Sequence, residues 1–294
     1  MPDTTREKAP AKLNLALHVL GRRADGYHAL DSPVAFVPRV ADELSLAPAE
    51  AFGLHLQGAR AEGLPTDERN LALRAAMLLL EHWPEQFSPV RITLRKELPT
   101  AAGIGGGSAD AAAVIRAMCR LFAFTPPDEE LRAVALALGA DVPVCLHGKA
   151  ARMRGIGEEI APLSLPAGAH VLLVNPGVAV STAEVFARLR AGPPEEARAL
   201  PPEALRRPWP DARALAATLA TLRNDLEPPA RALAPAIGEC LQWLRRQPGV
   251  LLARMSGSGA TCFALFADGN AAQDALRAAR RDNPDWWAAS GTLL

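Results

Sequence analysis

The chain has only four cysteines, Cys119, Cys145, Cys240 and Cys262, and no two of them form a C-x-x-C pair. Only Cys145 has a histidine close by, His147, and one such pair does not make a metal site. The four are read as buried small apolar residues, not as disulfides or zinc ligands. No apolar run approaches the ~20 residues of a membrane span, and residues 2–8 are polar, without an apolar targeting segment. These absences predict a soluble protein of a reducing cytoplasm with no membrane partner. Formal net charge is zero, so the total charge steers the chain toward neither nucleic acid nor a membrane surface. Lysine is scarce, confined to Lys8, Lys12, Lys96 and Lys149, and tyrosine occurs once, at Tyr27. The arginine, alanine and proline excess reads as coding bias. No internal repeat is visible.

What is present suits a globular enzyme. The 294 residues are 49% hydrophobic and 22% charged, enough for a sizeable core and, at roughly 150 residues per domain, for two domains. Residues 11–20 alternate in β fashion, with Leu13, Leu15, Leu17 and Val19 on one face and Lys12, Asn14, Ala16 and His18 on the other. Strand patterns follow at 29–37, 43–47, 52–57 and 91–98. Helical periodicity covers 70–83, 108–123 and 128–138, the last with Asp128 as its cap. Strands are expected at 142–146 and 150–154. Beyond Gly157 come a strand at 170–175 and a helix at 182–189. A Pro-, Glu- and Arg-rich surface excursion occupies 192–210, then helices 212–222 and 230–247, strands 251–255 and 261–266, and a helix at 271–281. Mixed strands and helices without strict alternation predict an α+β fold in two lobes, 1–157 and 158–294. The 192–210 excursion and the tail after Asp282 have no assigned role.

The most informative stretch is 98–110, Leu-Pro-Thr-Ala-Ala-Gly-Ile-Gly-Gly-Gly-Ser-Ala-Asp. It leads from a strand through glycines into an alanine-rich helix. Glycines let backbone approach a ligand, and the helix start presents unpaired N–H groups and the positive end of its dipole. The combination is a phosphate cradle. It is not a Walker A loop, because Gly107 is followed directly by Ser108, without the lysine. Nor does it fit G-x-G-x-x-G, since Ser108 or Asp110 falls where the third glycine belongs.

Four further constellations stand out. Met255-Ser256-Gly257-Ser258-Gly259-Ala260 lies between two apolar strands, where a plain hairpin turn needs only one or two glycines. Lys12 and Asn14, two apart on one strand, project together. Asp141, between a helix end and an apolar segment, is either a turn residue or an acid with chemistry to do. In Arg22-Arg23-Ala24-Asp25-Gly26-Tyr27-His28, Asp25-Gly26 signals a hairpin tip. There the lone tyrosine sits beside an imidazole, a ring to stack on a pyrimidine next to a group that can hydrogen-bond its edge.

The 98–110 loop resembles the second motif of the GHMP kinase family of small-molecule kinases. Residues 255–260 resemble its third motif, and Pro10-Ala11-Lys12-Leu13-Asn14-Leu15 its first. The G-G-G-S-A-D-A-A form and Arg-Ala-Asp-Gly-Tyr-His are similar to one branch, whose substrate is a cytidine diphosphate ester of methylerythritol. That branch usually carries more glycine where Thr100-Ala101-Ala102 stands here. The resemblance spans nearly the whole chain. It implies a two-lobed fold, an N-terminal mixed-sheet lobe with helices and a C-terminal ferredoxin-like lobe, with the nucleotide site between them. It implies transfer of phosphate from ATP to the 2-hydroxyl of 4-diphosphocytidyl-2-C-methyl-D-erythritol. Asp141 would take the hydroxyl proton while Lys12 orients that hydroxyl and offsets developing charge. Asn14, Tyr27, His28 and Thr182 would bind the substrate, Thr182 doubling as a helix cap with Ser181. ATP would be held by Asn70, Lys96, Pro99, Gly103, Gly105, Gly106, Gly107, Ser108, Ala109, Gly257, Ser258 and Gly259. Asn70 also reads as a helix N-cap, and Lys96 as an ordinary exposed strand lysine. Asn224-Asp225-Leu226-Glu227 matches a family stretch of structural character. ATP and Mg²⁺ are implied, with Ser108 the one candidate metal ligand and no dedicated carboxylate. The partners are then small molecules only, on a monomer or homodimer. The alternatives are another GHMP kinase, of homoserine or mevalonate type, or a non-catalytic nucleotide-binding regulator.

Overall fold

The computed structural model describes residues 4–189, 199–201, 205 and 208–294, so much of the 192–210 excursion lies outside the described residues. The chain forms two compact units that are interleaved in sequence. One comprises Met1–Ala11, Ala41–Thr100 and Gly105–Gly148, the other Lys12–Val40, Ala101–Ile104 and Lys149–Leu294.

In the first unit, strand β5 (Val90–Arg95) pairs antiparallel with the second half of β3 (His28–Pro48), from Glu43 opposite Arg95 to Pro48 opposite Val90. On its other side β5 pairs in parallel with β4 (Gly53–Gln57). Strand periodicity puts Val90, Ile92 and Leu94 of β5 in the core and Arg91 and Arg95 outside. Helices α1 (Leu71–His82), α2 (Gly106–Leu121), α3 (Asp128–Leu138) and α4 (Val142–His147) complete the unit, with α2 packed on α1 and α4. Alanines at 109, 111, 112, 113 and 117 are all buried and keep α2 slim enough to be covered on most sides. Fully buried Leu79, Ile92, Leu94 and Ile115 each contribute about 1.5–3 kcal/mol through burial.

Two expectations fail in this unit. Residues 142–146 form α4, not a strand, because a short apolar run fits a buried helical turn as well as a buried strand. Pro143 suits the first turn, and Gly148, left-handed at φ 66°, ends the helix. Asp128 does not cap α3. Pro127 holds the cap position, and Asp128 joins Glu129 and Glu130 in the first turn, where the helix dipole favours them.

In the second unit, β2 (His18–Arg22) and β6 (Ala151–Gly155) pair antiparallel with the first part of β3, and β7 (Glu159–Pro162) pairs with β6. A second sheet runs in the order β11 (Trp287–Thr292), β8 (His170–Asn175), β10 (Cys262–Phe266), β9 (Val250–Met255), antiparallel throughout. Helices α5 (Thr182–Leu189), α6 (Ala212–Ala220), α7 (Glu227–Leu233) and α8 (Ala236–Arg245) lie between β8 and β9 in sequence. Helix α9 (Gly269–Asp282) joins β10 to β11. Counting strands from β8, the order 4-1-3-2 is the ferredoxin-like one. Leu172, Val174, Cys262, Ala264 and Phe266 of this sheet share a core with Ile237, Leu241, Leu244 and Leu276.

Here the expected strand at 11–20 is two, β1 (Thr5–Asn14) and β2, and both of its faces are buried, so Lys12, Asn14 and His18 are interior residues. The segments 29–37 and 43–47 join into the single strand β3, which continues through Pro38. The helix expected over 230–247 breaks into α7 and α8 at Ala234-Pro235, since Pro235 cannot continue a helix. The tail after Asp282 supplies β11, and Leu294 exchanges backbone hydrogen bonds with Phe36. Cys145, Cys240 and Cys262 are buried, Cys119 half-buried, and all four are free thiols. No helix among the described residues is long and apolar enough to cross a membrane.

Candidate active site

In the first unit the glycine loop meets its helix at Gly105, which holds the cap position of α2 in a left-handed conformation, φ 66°. The first i→i−4 bond of the helix runs from the Ala109 N–H to the Gly105 carbonyl, 2.7 Å. The amides of Gly106, Gly107 and Ser108 come before it and point off the helix end. Ser108 is half-buried, Gly107 exposed, Ala109 and Pro99 buried. A Cβ on Gly106 would sit 3.8 Å from the Lys96 ammonium, so that ammonium stands at the first turn of α2.

Lys96 is only 4% exposed, against the reading as an ordinary surface lysine. Its Nζ donates to Asp42 Oδ2 and, at 2.6 Å, to Asp110 Oδ2. Asp42 Oδ1 accepts from the Glu97 and Leu98 amides at 2.6 and 2.9 Å. Burial acts to lower the Lys96 pKa, but Asp110 and Asp42 outweigh it and hold the ammonium above its ordinary value. Burial, reinforced by the neighbouring Asp42, pushes Asp110 up to about 7 against the pull of Lys96. Neither aspartate was singled out from the sequence. Asp42 gives no local signal, and Asp110 looks like a polar residue in the exposed turn of a helix.

Asn70 is the N-cap of α1, accepting from the Ala72 amide at 3.0 Å and donating to the Pro65 carbonyl at 2.9 Å. Asp141 occupies the position before α4, half-buried, and its carbonyl accepts from the Cys145 amide at 3.1 Å.

In the second unit the sequence-distant motifs converge. Lys12 Nζ donates to Asn14 Oδ1 at 3.0 Å, as their i, i+2 spacing implies, and Asn14 Nδ2 donates to Ser32 Oγ at 2.9 Å. The Asn14 amide donates to Ser256 Oγ at 3.0 Å, and Ser256 Oγ donates to the Gly103 carbonyl at 2.9 Å. The Lys12 amide reaches the Ile104 carbonyl, and the Thr261 amide the Ala102 carbonyl. Gly103 is thus locked against the 256–259 turn. It is left-handed at φ 70°, and a Cβ there would lie 2.3 Å from the Ser256 carbonyl oxygen. Gly257 and Gly259 are buried in the same turn. Asn224 Nδ2 ties down that turn by donating to the carbonyls of Met255 at 2.8 Å and Gly257 at 2.9 Å. Asp225 accepts from the Val19 amide at 2.8 Å, so the Asn-Asp-Leu-Glu stretch is structural, as expected.

Thr182 Oγ1 and Ser258 Oγ share a hydrogen bond of 2.7 Å, while the Glu184 amide reaches Ser181 Oγ at 3.3 Å, so Ser181 is the capping side chain. Tyr27 stands 58% exposed at the hairpin tip. His28 stacks on Phe186 with ring centroids 4.6 Å apart and planes at 25°. Partial burial and the Arg22 charge lower the His28 pKa, keeping the ring neutral near pH 7. Phe186 was missed because, in sequence, it is one more apolar residue of a short helix.

The family model described as GHMP kinases N terminal domain matches residues 70–149, and that described as GHMP kinases C terminal matches 203–285. The chain is 50% identical over 293 residues, 99% of each chain, to a protein named 4-diphosphocytidyl-2-C-methyl-D-erythritol kinase from Cereibacter sphaeroides strain ATCC 17029. It is 50% identical to one of the same name from Paracoccus denitrificans, covering 100% of this chain and 98% of the relative. Among solved structures, a 4-(cytidine 5'-diphospho)-2C-methyl-D-erythritol kinase superposes with a TM-score of 0.75 at 38% identity, covering 98% of both chains. A homoserine kinase from Cytophaga hutchinsonii, 20% identical, gives a TM-score of 0.74 over 100% of this chain and 96% of its own, and shares the fold alone. With both domain models matched and near-full-length relatives at half identity, the chain belongs to the GHMP kinase family.

Proposed function

We propose that this chain transfers the γ-phosphate of ATP to the 2-hydroxyl of 4-diphosphocytidyl-2-C-methyl-D-erythritol, the compound in the names of its 50% identical kinase relatives. The observation that carries the acceptor is the hairpin tip. There the chain's single tyrosine is exposed beside a histidine stacked on Phe186. Tyr27 offers a stacking face, and the His28 imidazole a directional hydrogen bond to a pyrimidine edge. The near-full-length identity to cytidylyl kinases outweighs the homoserine and mevalonate readings, whose structural neighbours are at most 20% identical.

Asp141 takes the proton of the attacking hydroxyl as its oxygen bonds to phosphorus and the bond to ADP breaks. Lys12, oriented by Asn14, offsets the charge gathering on the transferred group, and Thr182 steadies the acceptor. The amides of Gly106, Gly107 and Ser108 hold the phosphates. Positioning of this kind can supply roughly 7–11 kcal/mol of barrier reduction. Mg²⁺ fits as part of MgATP. The Ser108 hydroxyl is the side chain we read as able to reach it, with phosphate oxygens and water as the other ligands it would take. Along the sequence we further read an N-terminal family lobe in 1–157 and a C-terminal one in 158–294, bounds that differ from the two interleaved compact units. The enzyme is read as a cytoplasmic monomer or homodimer.

The test is ³¹P NMR of the protein with MgATP and the cytidylyl substrate, parent beside Asp141→Asn. A new phosphomonoester signal with ADP from the parent, and none from a normally melting variant, is expected. No transfer by a folded, ATP-binding parent refutes the assignment.

A further inference from the structure

Strand β5 ends at Arg95, and the next residue is pinned more heavily than a nucleotide contact requires. The Lys96 amide donates to the Gln57 carbonyl at 2.7 Å and its carbonyl accepts from the Arg60 amide at 3.2 Å. A Cβ on Gly58 would lie 2.6 Å from that same carbonyl oxygen, so only glycine lets β4's end close over it. The side chain is then gripped by two carboxylates from separate elements. Asp42 comes from β3 and also anchors the Glu97 and Leu98 amides that lead into the glycine loop. Asp110 lies in the second turn of α2, the helix whose N-terminal amides the loop presents.

One atom of this cluster is left over. Asp110 Oδ1 is buried and has no hydrogen-bond partner, in a residue only 3% exposed. Packing alone would be better served by an apolar residue, since replacing buried ion clusters with apolar groups is often neutral or stabilising. A carboxylate retained there, one oxygen on Lys96 and the other unsatisfied, points to a positioning task.

We propose that Asp110 and Asp42 are positioning residues that hold the Lys96 ammonium against the first turn of α2, and thereby set the glycine loop for triphosphate. The proposal rests on the kinase reading for its phosphate donor, but not on the identity of the acceptor. Asp110 acts through Lys96 at the glycine loop, so its effect falls on ATP and spares the cytidylyl substrate. A merely structural carboxylate would affect both ligands and the melting temperature together.

The experiment compares the full chain with Asp110→Leu and Asp110→Asn by isothermal titration with MgATP alone, then with the cytidylyl substrate alone. Asp110→Leu removes one of the two carboxylates that accept from Lys96 and fills its place with an apolar side chain. Asp110→Asn keeps an oxygen for it. The expected result is at least a tenfold rise in the MgATP Kd for the leucine variant and recovery to within threefold for asparagine. The Kd for the cytidylyl substrate should stay within twofold in both. A folded leucine variant with parental MgATP affinity overturns the proposal, as does equal weakening of both ligands. Should Asp110→Leu not fold, Asp110→Ala takes its place, with the same selective loss expected and the same null result fatal. A parent that binds MgATP yet leaves the cytidylyl substrate unphosphorylated refutes the acceptor assignment while this comparison still decides the proposal. A parent that does not bind MgATP overturns both.

Discussion

Asn224 carries more hydrogen bonds than its place in a helix-leading turn suggests, and replacing it separates two explanations of the 255–259 turn. Its Nδ2 donates to the Met255 and Gly257 carbonyls, and its Oδ1 accepts from the Leu226 amide at 3.0 Å. The residue is 5% exposed, so Asn224→Ala leaves three polar groups largely out of reach of water. Each such group costs about 1–3 kcal/mol, and water entering the vacated space relieves part of it, leaving about 2–5 kcal/mol. Asn224→Asp has nearly the same shape but turns an acceptor toward two carbonyl oxygens that sit 2.8 and 2.9 Å from the present donor. It should therefore be worse than alanine. Urea unfolding at neutral pH measures both, and MgATP titration of the folded fraction reports the turn, whose Gly257 and Ser258 are proposed phosphate contacts. The order parent, alanine, aspartate is expected in stability. An aspartate variant as stable as the parent, or an alanine cost below about 0.5 kcal/mol, would refute the view that Asn224 holds the turn through its donors.

Gly103→Ala meets the Ser256 carbonyl oxygen at 2.3 Å, whereas Gly63→Ala, also at positive φ, meets nothing within 4 Å. The second should cost only the ordinary left-handed penalty of about 1 kcal/mol. The first should also weaken MgATP binding at least tenfold, and equal melting and binding for the two would contradict the close approach. His28 is an imidazole whose pKa burial and Arg22 both lower, so the folded state binds fewer protons than the unfolded one near pH 6. Stability is then lost as pH falls from the unfolded value near 6.5 through the lower folded one. Arg22→Gln removes the second cause, and NMR titration of the imidazole should show its pKa moving up; a downward move would refute the assignment.

Sequence pattern gave the glycine loop, the Lys12–Asn14 pair and the hairpin tip because each depends on neighbours one to four residues away. The strand at 170–175 was legible in full for the same reason: an unbroken apolar run flanked by loop residues. What was not legible depends on distance. Asp42 and Lys96 are 54 residues apart, Asn14 and Ser256 are 242 apart, and no local periodicity encodes either meeting. Lys96 reads as exposed in sequence because charge on a strand usually is, and it is buried only because two carboxylates arrive to meet it. Residues 142–146 failed on the opposite ground, since burial removes the alternation that separates strand from helix.

The threading of the chain through its two units limits how this protein can have been assembled. The second unit draws its Lys12–Val40 piece from far upstream of Lys149–Leu294 and takes Ala101–Ile104 from the middle of the first. The Asn14 amide that meets Ser256, and the Val19 amide that meets Asp225, therefore lie more than 200 residues from their partners in the same unit. Neither unit corresponds to a continuous stretch of chain, so no single cut releases one of them whole without carrying part of the other. Recombination within 12–148 separates residues that belong to one compact body.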